Sequence, residues 1–101
     1  MTDRPIVAVL DAMPEASRAV ISEIFGVDFD IAFVADNTDA AKRDVAVGAT
    51  VLLTMWGAVD AATIQAACGA KLIQKLGVGT DKIDISAATA AGITVLKAAG
   101  I

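Results

Sequence analysis

Histidine is missing from all 101 residues, and cysteine occurs once, as Cys68. Without an imidazole the chain lacks the one side chain that ordinarily titrates near neutrality, and a transition-metal site loses its commonest ligand. A single cysteine permits neither an internal disulfide nor a thiolate metal cluster. Basic clusters are missing as well. Eight Lys and Arg stand against twelve Asp and Glu, a formal net charge of −4, which leaves no electrostatic footprint for a nucleic acid or an anionic membrane. Hydrophobic residues make up 56% of the chain, much of that alanine, yet no apolar run approaches the roughly 18 residues of a membrane span. The opening MTDRPIVAVLDAM has too short an apolar core and no small-residue cleavage pattern for a secretory signal, so a cytoplasmic protein is expected. There is no internal repeat, linker or low-complexity stretch, and the length suits one domain, residues 1–101, built on one core.

What is present alternates in type. Ile6 to Leu10 is a β-branched run without polar alternation, the pattern of a strand covered on both faces of a parallel sheet. Pro14 fits the first turn of a helix that runs to about Phe25, with Glu15 near its positive end and Gly26 as its stop. Val20 with Ile24 and Ile21 with Phe25 are i, i+4 pairs expected to form one apolar stripe. Phe29 to Val34 reads as an edge strand, because one of its faces carries Asp30. Asn37 or Thr38 can cap a second helix that Gly48 ends. Thr50 to Met55 is again a solid strand, followed by a loop at Trp56-Gly57. Asp60 can cap a third helix that turns Ile64, Ala67 and Cys68 inward, with Gly69 beyond. Cys68 is accordingly expected to be an inert core residue, with no basic neighbour to activate it.

The chain is organised around Lys71 to Leu96, which reads strand, loop, helix, strand. A short apolar run (Leu72, Ile73, Leu76) leads into the turn Gly77-Val78-Gly79. Asp84 then opens a small-residue helix closed by Gly92, and Ile93 to Leu96 forms a last strand. Two glycines around one valine at a strand's carboxyl end let a ligand approach the backbone, with N–H groups able to donate to an anion such as a carboxylate. Five strand signals alternating with four helix signals require parallel pairing through right-handed crossovers, in the order 2-1-3-4-5. Ligands of such sheets sit outside the carboxyl ends of the strands, here Asp11 to Pro14, Met55 to Ala58 and Gly77 to Thr80.

Several motifs fall short of sharper readings. A dinucleotide fingerprint begun at Gly77 and Gly79 would need its third glycine at position 82, which is Lys82. From spacing alone the turn reads first as a strand-to-helix connection with special dihedrals. Trp56 is either a wall of a substrate cleft or a packed aromatic. Asp11 and Lys97 bring a phospho-receiver to mind, but the end of the third strand carries Met55-Trp56 in place of a phosphate-accepting Asp. A flavin carrier is unsupported, since Asp11-Ala12-Met13-Pro14 offers neither Ser/Thr nor Gly to cradle a phosphate. Asp11 and Lys97 are expected to be solvated or locally paired, and Asp81 and Asp84 to be loop and helix-cap groups.

The wording G-V-G-x-D-x-I-D at Gly77 to Asp84, followed by A-A-T-x-x-G-I-x-V at Ala87 to Val95, resembles the D-2-hydroxyacid dehydrogenases of the phosphoglycerate dehydrogenase-like type. Lys82 departs from the Asn often found there, on the loop's outer side. The resemblance implies a flavodoxin-like three-layer α/β/α domain that binds substrate, with the Val78 and Gly79 amides facing the substrate carboxylate and the loop of Met55, Trp56 and Gly57 beside it. It implies an oxidoreductase reaction, hydride exchange between NAD or NADP and a 2-hydroxy or 2-keto acid. The family's catalytic Arg, Glu and His and its cofactor domain correspond to positions beyond Ile101. The sequence is therefore expected to be a substrate-binding fragment, with no catalytic, cofactor-binding or metal-binding residue of its own. The alternative is a non-catalytic module of the same shape that binds a partner. In either case self-association into a homo-oligomer is expected, through Phe29 to Val34 or the surface around Trp56 and Ile101.

Overall fold

The computed structural model describes residues 4–55, 57–76 and 82–97. Strands β1 (Ile6–Val9), β2 (Asp30–Phe33), β3 (Val51–Thr54), β4 (Leu72–Lys75) and β5 (Thr94–Lys97) alternate with helices α1 (Glu15–Phe25), α2 (Asp39–Ala46), α3 (Ala61–Ala66) and α4 (Ile85–Ala90). The five strands form one sheet in the order β2-β1-β3-β4-β5, all neighbours parallel, as the alternation of elements requires. β2 is an edge strand, and Pro14 stands one residue before α1 as its N-cap.

Right-handed crossovers fix the layers. The step from β1 to β2 runs opposite to the three later steps, so α1 lies on one face and α2, α3 and α4 on the other. The cores show this division. Ala8, Leu10, Leu52 and Ile73 pack with Ala46, Ile64, Ala67 and Ala88 of the three-helix side. Val7, Val9 and Leu53 point the other way and meet Ile21 and Phe25 of α1.

Helix ends follow local chemistry. Thr38, Asp60 and Asp84 cap α2, α3 and α4 by accepting from the N–H groups of Ala41, Thr63 and Ala87. Asn37, the other residue placed by sequence to cap α2, accepts instead from Ala12 N–H at 2.8 Å and ties down the loop after β1. Gly48 and Gly92 follow α2 and α4 with φ of +80° and +76°, a region that favours glycine.

Two expectations are corrected. The stripe on α1 is half covered: Ile21 is buried and Phe25 partly so, but Val20 and Ile24 are 54% and 64% exposed, because the sheet beside α1 carries no second helix. Cys68 is exposed rather than a core residue. The N–H of Ala67 bonds to both Thr63 and Ile64 carbonyls, tightening the last turn of α3. The helical periodicity that would have turned Cys68 inward ends before reaching it.

Candidate functional site

The carboxyl ends of β1, β3 and β4 converge on a cluster of buried polar groups. Its centre is Asp11, 3% exposed and just past β1. Its Oδ2 accepts from Met55 N–H at 2.5 Å and from Thr54 Oγ1 at 3.2 Å, and its Oδ1 accepts from Gly57 N–H at 2.6 Å. Expected to be solvated or locally paired, the Asp11 carboxylate is instead buried and holds the β3–α3 loop, its bonded groups lying 43 to 46 residues away. A buried carboxylate is tolerated because three donors replace its water.

Two lysines complete the cluster. Lys42 of α2, 6% exposed, donates from Nζ to the Ala58 carbonyl at 3.0 Å. Lys75, 8% exposed and last in β4, donates from Nζ to the Met55 carbonyl. Thr54 Oγ1 also lies 3.4 Å from the Gly57 carbonyl. The loop therefore has four backbone polar groups held by side chains: Met55 N–H and C=O, Gly57 N–H and Ala58 C=O. Gly57 is required by space. A Cβ there would meet Asp11 Oδ1 at 2.7 Å and Lys42 Nζ at 2.8 Å.

A second connection joins this loop to the segment after β4. Val59 and Ile83 form a parallel bridge in which Val59 N–H donates to the Lys82 carbonyl and Asp84 N–H donates to the Val59 carbonyl. Met55 and Gly57 lie just past the carboxyl end of β3, in the connection to α3. Trp56, Gly77, Val78 and Gly79 lie outside the described residues, as do Thr80, Asp81 and the side chain of Lys97. Asp84 serves as the cap of α4, as expected.

Sequence reasoning missed Lys42, Lys75 and Thr54, although period rules pointed to them. Lys75 is two residues from Ile73 and Thr54 two from Leu52, so both share the helix-covered face of the sheet. Lys42 stands four residues before buried Ala46 on α2.

Just past β1 the Asp11 carboxylate is turned to the β3–α3 loop, and α1 opens with Pro14 and Glu15.

Comparison with known proteins agrees with this architecture. The family model described as D-isomer specific 2-hydroxyacid dehydrogenase, catalytic domain, matches residues 7–101. D-3-phosphoglycerate dehydrogenase of Mycobacterium leprae is 33% identical over 98 residues, covering 95% of this chain and 18% of that protein. The enzyme of the same name from Archaeoglobus fulgidus is 57% identical over 42 residues, 42% of this chain and 8% of its own length. This chain therefore spans less than a fifth of these curated relatives. Among solved structures, NAD+-bound 3-phosphoglycerate dehydrogenase of Entamoeba histolytica superposes with a TM-score of 0.82 at 20% identity, covering 94% of this chain and 33% of that one. A D-isomer specific 2-hydroxyacid dehydrogenase from Polaromonas gives a TM-score of 0.72 at 28% identity, with 92% and 30% covered. From a match that takes in all but the first six residues, the chain belongs to the D-isomer specific 2-hydroxyacid dehydrogenase family, within its catalytic domain.

Proposed function

We propose that the chain binds the carboxylate of a small 2-hydroxy or 2-keto acid at the carboxyl edge of its sheet, as the substrate-binding part of an NAD- or NADP-dependent dehydrogenase. The observation that carries this reading is the anchored β3–α3 loop. Met55 and Gly57 are fixed by buried side chains directly beside the strand that leads to Gly77, Val78 and Gly79. A preformed loop loses less entropy on binding than a mobile one. In this reading the Val78 and Gly79 amides donate to the carboxylate, and Met55, Trp56 and Gly57 line the adjoining wall.

Bound to the whole enzyme, NADH or NADPH would supply the hydride to a 2-keto acid, and NAD or NADP would accept it from a 2-hydroxy acid. The residues of this chain orient the acid and exclude water from one side of it. Proton transfer to the 2-oxygen needs a group titrating near neutrality, and the chain has no histidine. By itself the chain is therefore expected to show neither saturable NADH binding by calorimetry nor NADH oxidation with glyoxylate, pyruvate or hydroxypyruvate. Saturable turnover with any of these acids overturns the reading of a substrate-binding part. The binding claim is tested by NMR titration with pyruvate. The amides of residues 55, 57, 78 and 79 should shift in the wild type and not in Gly79→Val, whose branched side chain fills the space above the amides. Equal responses from the two proteins sink it.

The exposed apolar surface supports a second, compatible reading, self-association into a homo-oligomer. Val20, Ile24 and Leu76 flank a groove beside α1, which is continuous through Phe25 and Leu76 with a cavity over Leu53 and Leu72. Light scattering that finds only monomer at tens of micromolar counts against it.

A further inference from the structure

We propose that Asn37, Asp11 and Lys42 close a ring of tethers that makes the position of the β3–α3 loop depend on helix α2, with Asp11 and Lys42 as positioning residues for Met55 and Gly57. That Met55 and Gly57 face a ligand rests on the reading above. The ring stands on geometry alone.

Asn37 stands immediately before Thr38, the cap of α2, and its Oδ1 accepts from Ala12 N–H at 2.8 Å. Ala12 follows Asp11 in the chain, and Asp11 Oδ1 accepts from Gly57 N–H at 2.6 Å. Ala58 follows Gly57, and its carbonyl accepts from Lys42 Nζ at 3.0 Å, which leads back to α2. The circuit thus leaves the start of α2 through one side chain and re-enters the helix little more than one turn later through another. Three connections at the carboxyl edge, those after β1, β2 and β3, are joined by it. Tethers in a ring support each other: when one opens, each of the others ends on a segment that is free to swing, whereas separate tethers fail one at a time.

Charge links the two buried members. The point that a Cβ on Gly57 would occupy lies 2.7 Å from Asp11 Oδ1 and 2.8 Å from Lys42 Nζ, so a carboxylate and an ammonium flank one glycine. Both side chains are buried, where opposite charges attract strongly and the loss of one leaves the other without its counter-charge across Gly57. Lys75, on the Met55 carbonyl, is the remaining buried charge among the described residues and lies outside the ring.

The test follows amide hydrogen exchange in variants of the chain. Asn37→Ala removes an exposed side chain and leaves the Thr38 cap in place, so the fold should tolerate it. It should nevertheless speed exchange at Gly57, which Asn37 does not hold, by about threefold or more, with Leu52 and Ile73 unchanged. Acceleration confined to Ala12 means separate tethers and overturns the ring. Lys42→Met should speed Gly57 about tenfold, and Asp11→Asn should do likewise, because its amide accepts at one oxygen only and turns an NH2 toward the other N–H donor. Equal acceleration at Leu52 and Ile73 is general destabilisation and overturns the positioning role. Combined, the two changes should give less than the product of their separate effects, since neither charge then lacks its partner. Effects that multiply overturn the pairing across Gly57. If a single variant does not fold, the double variant should, and a double variant no more stable than the worse single overturns the pairing. In NMR titration, Lys42→Met should bind pyruvate about tenfold more weakly than wild type, and equal affinity overturns its role toward the ligand. If pyruvate does not perturb the wild type, the carboxylate reading falls, while the exchange comparisons still decide the ring.

Discussion

The two faces of the sheet are built on different terms. On one, α2, α3 and α4 lie side by side and bury Ala8, Leu10, Leu52 and Ile73. Two of those helices have only six residues, and all three approach through small residues such as Ala46, Ala67 and Ala88. On the other, α1 is alone. It has eleven residues, covers Val7 and Val9, and leaves Val20, Ile24, Leu76 and Leu96 exposed. The alanine-rich composition belongs to the crowded face, where a small side chain lets short helices sit close to the strands and to each other. The larger aliphatic side chains of the open face have no second helix to meet.

The comparison breaks if the open face matters as much to folding as the crowded one. Ile64→Ala removes a fully buried side chain from the crowded face and should cost about 2–5 kcal/mol by urea unfolding. Asp84→Ala, which uncaps a short helix of that face, should cost about 1 kcal/mol in the same assay. Asp60 sharpens the point through pH. Hydrogen bonds from the Thr63 N–H and hydroxyl hold its carboxyl below the ordinary range. A depressed folded value means its contribution is complete above the ordinary pKa of about 3.9 and is lost as pH falls through the folded value. The stability gap between wild type and Asp60→Asn should therefore close in acid. The smallest effect is expected from Val20→Lys with Ile24→Lys on the open face, within about 0.5 kcal/mol of wild type, yet these changes should shift light scattering toward monomer. A loss of several kcal/mol there would show that the open face is core after all.

Much of the fold was legible because its signals are local. The five apolar runs, the caps Thr38, Asp60 and Asp84, and the stops Gly48 and Gly92 each act within a few residues, and one handedness rule then fixes the strand order. The site was legible only in outline. The sequence marks the Met55–Ala58 loop as a ligand-facing connection, but what holds it comes from β1, α2 and β4, residues between 16 and 46 positions away. Asp11, Lys42 and Lys75 look like ordinary surface charges when each is read beside its neighbours. Only the assembled sheet brings their ends to one loop. Cys68 failed for the opposite reason: a regular helical period was extended one residue past the point where Ala67 closes the helix.

Exposure of that thiol has a practical consequence. Cys68 lies between the end of α3 and the start of β4, at the amino edge of the sheet, whereas the candidate site occupies the carboxyl edge. Because no other cysteine occurs in the chain, a maleimide dye or spin label would attach at one defined place with the whole sheet between it and the candidate site. The molecule thus carries its own handle for surface immobilisation or distance measurement, and nothing at the carboxyl edge of the sheet need be altered to use it.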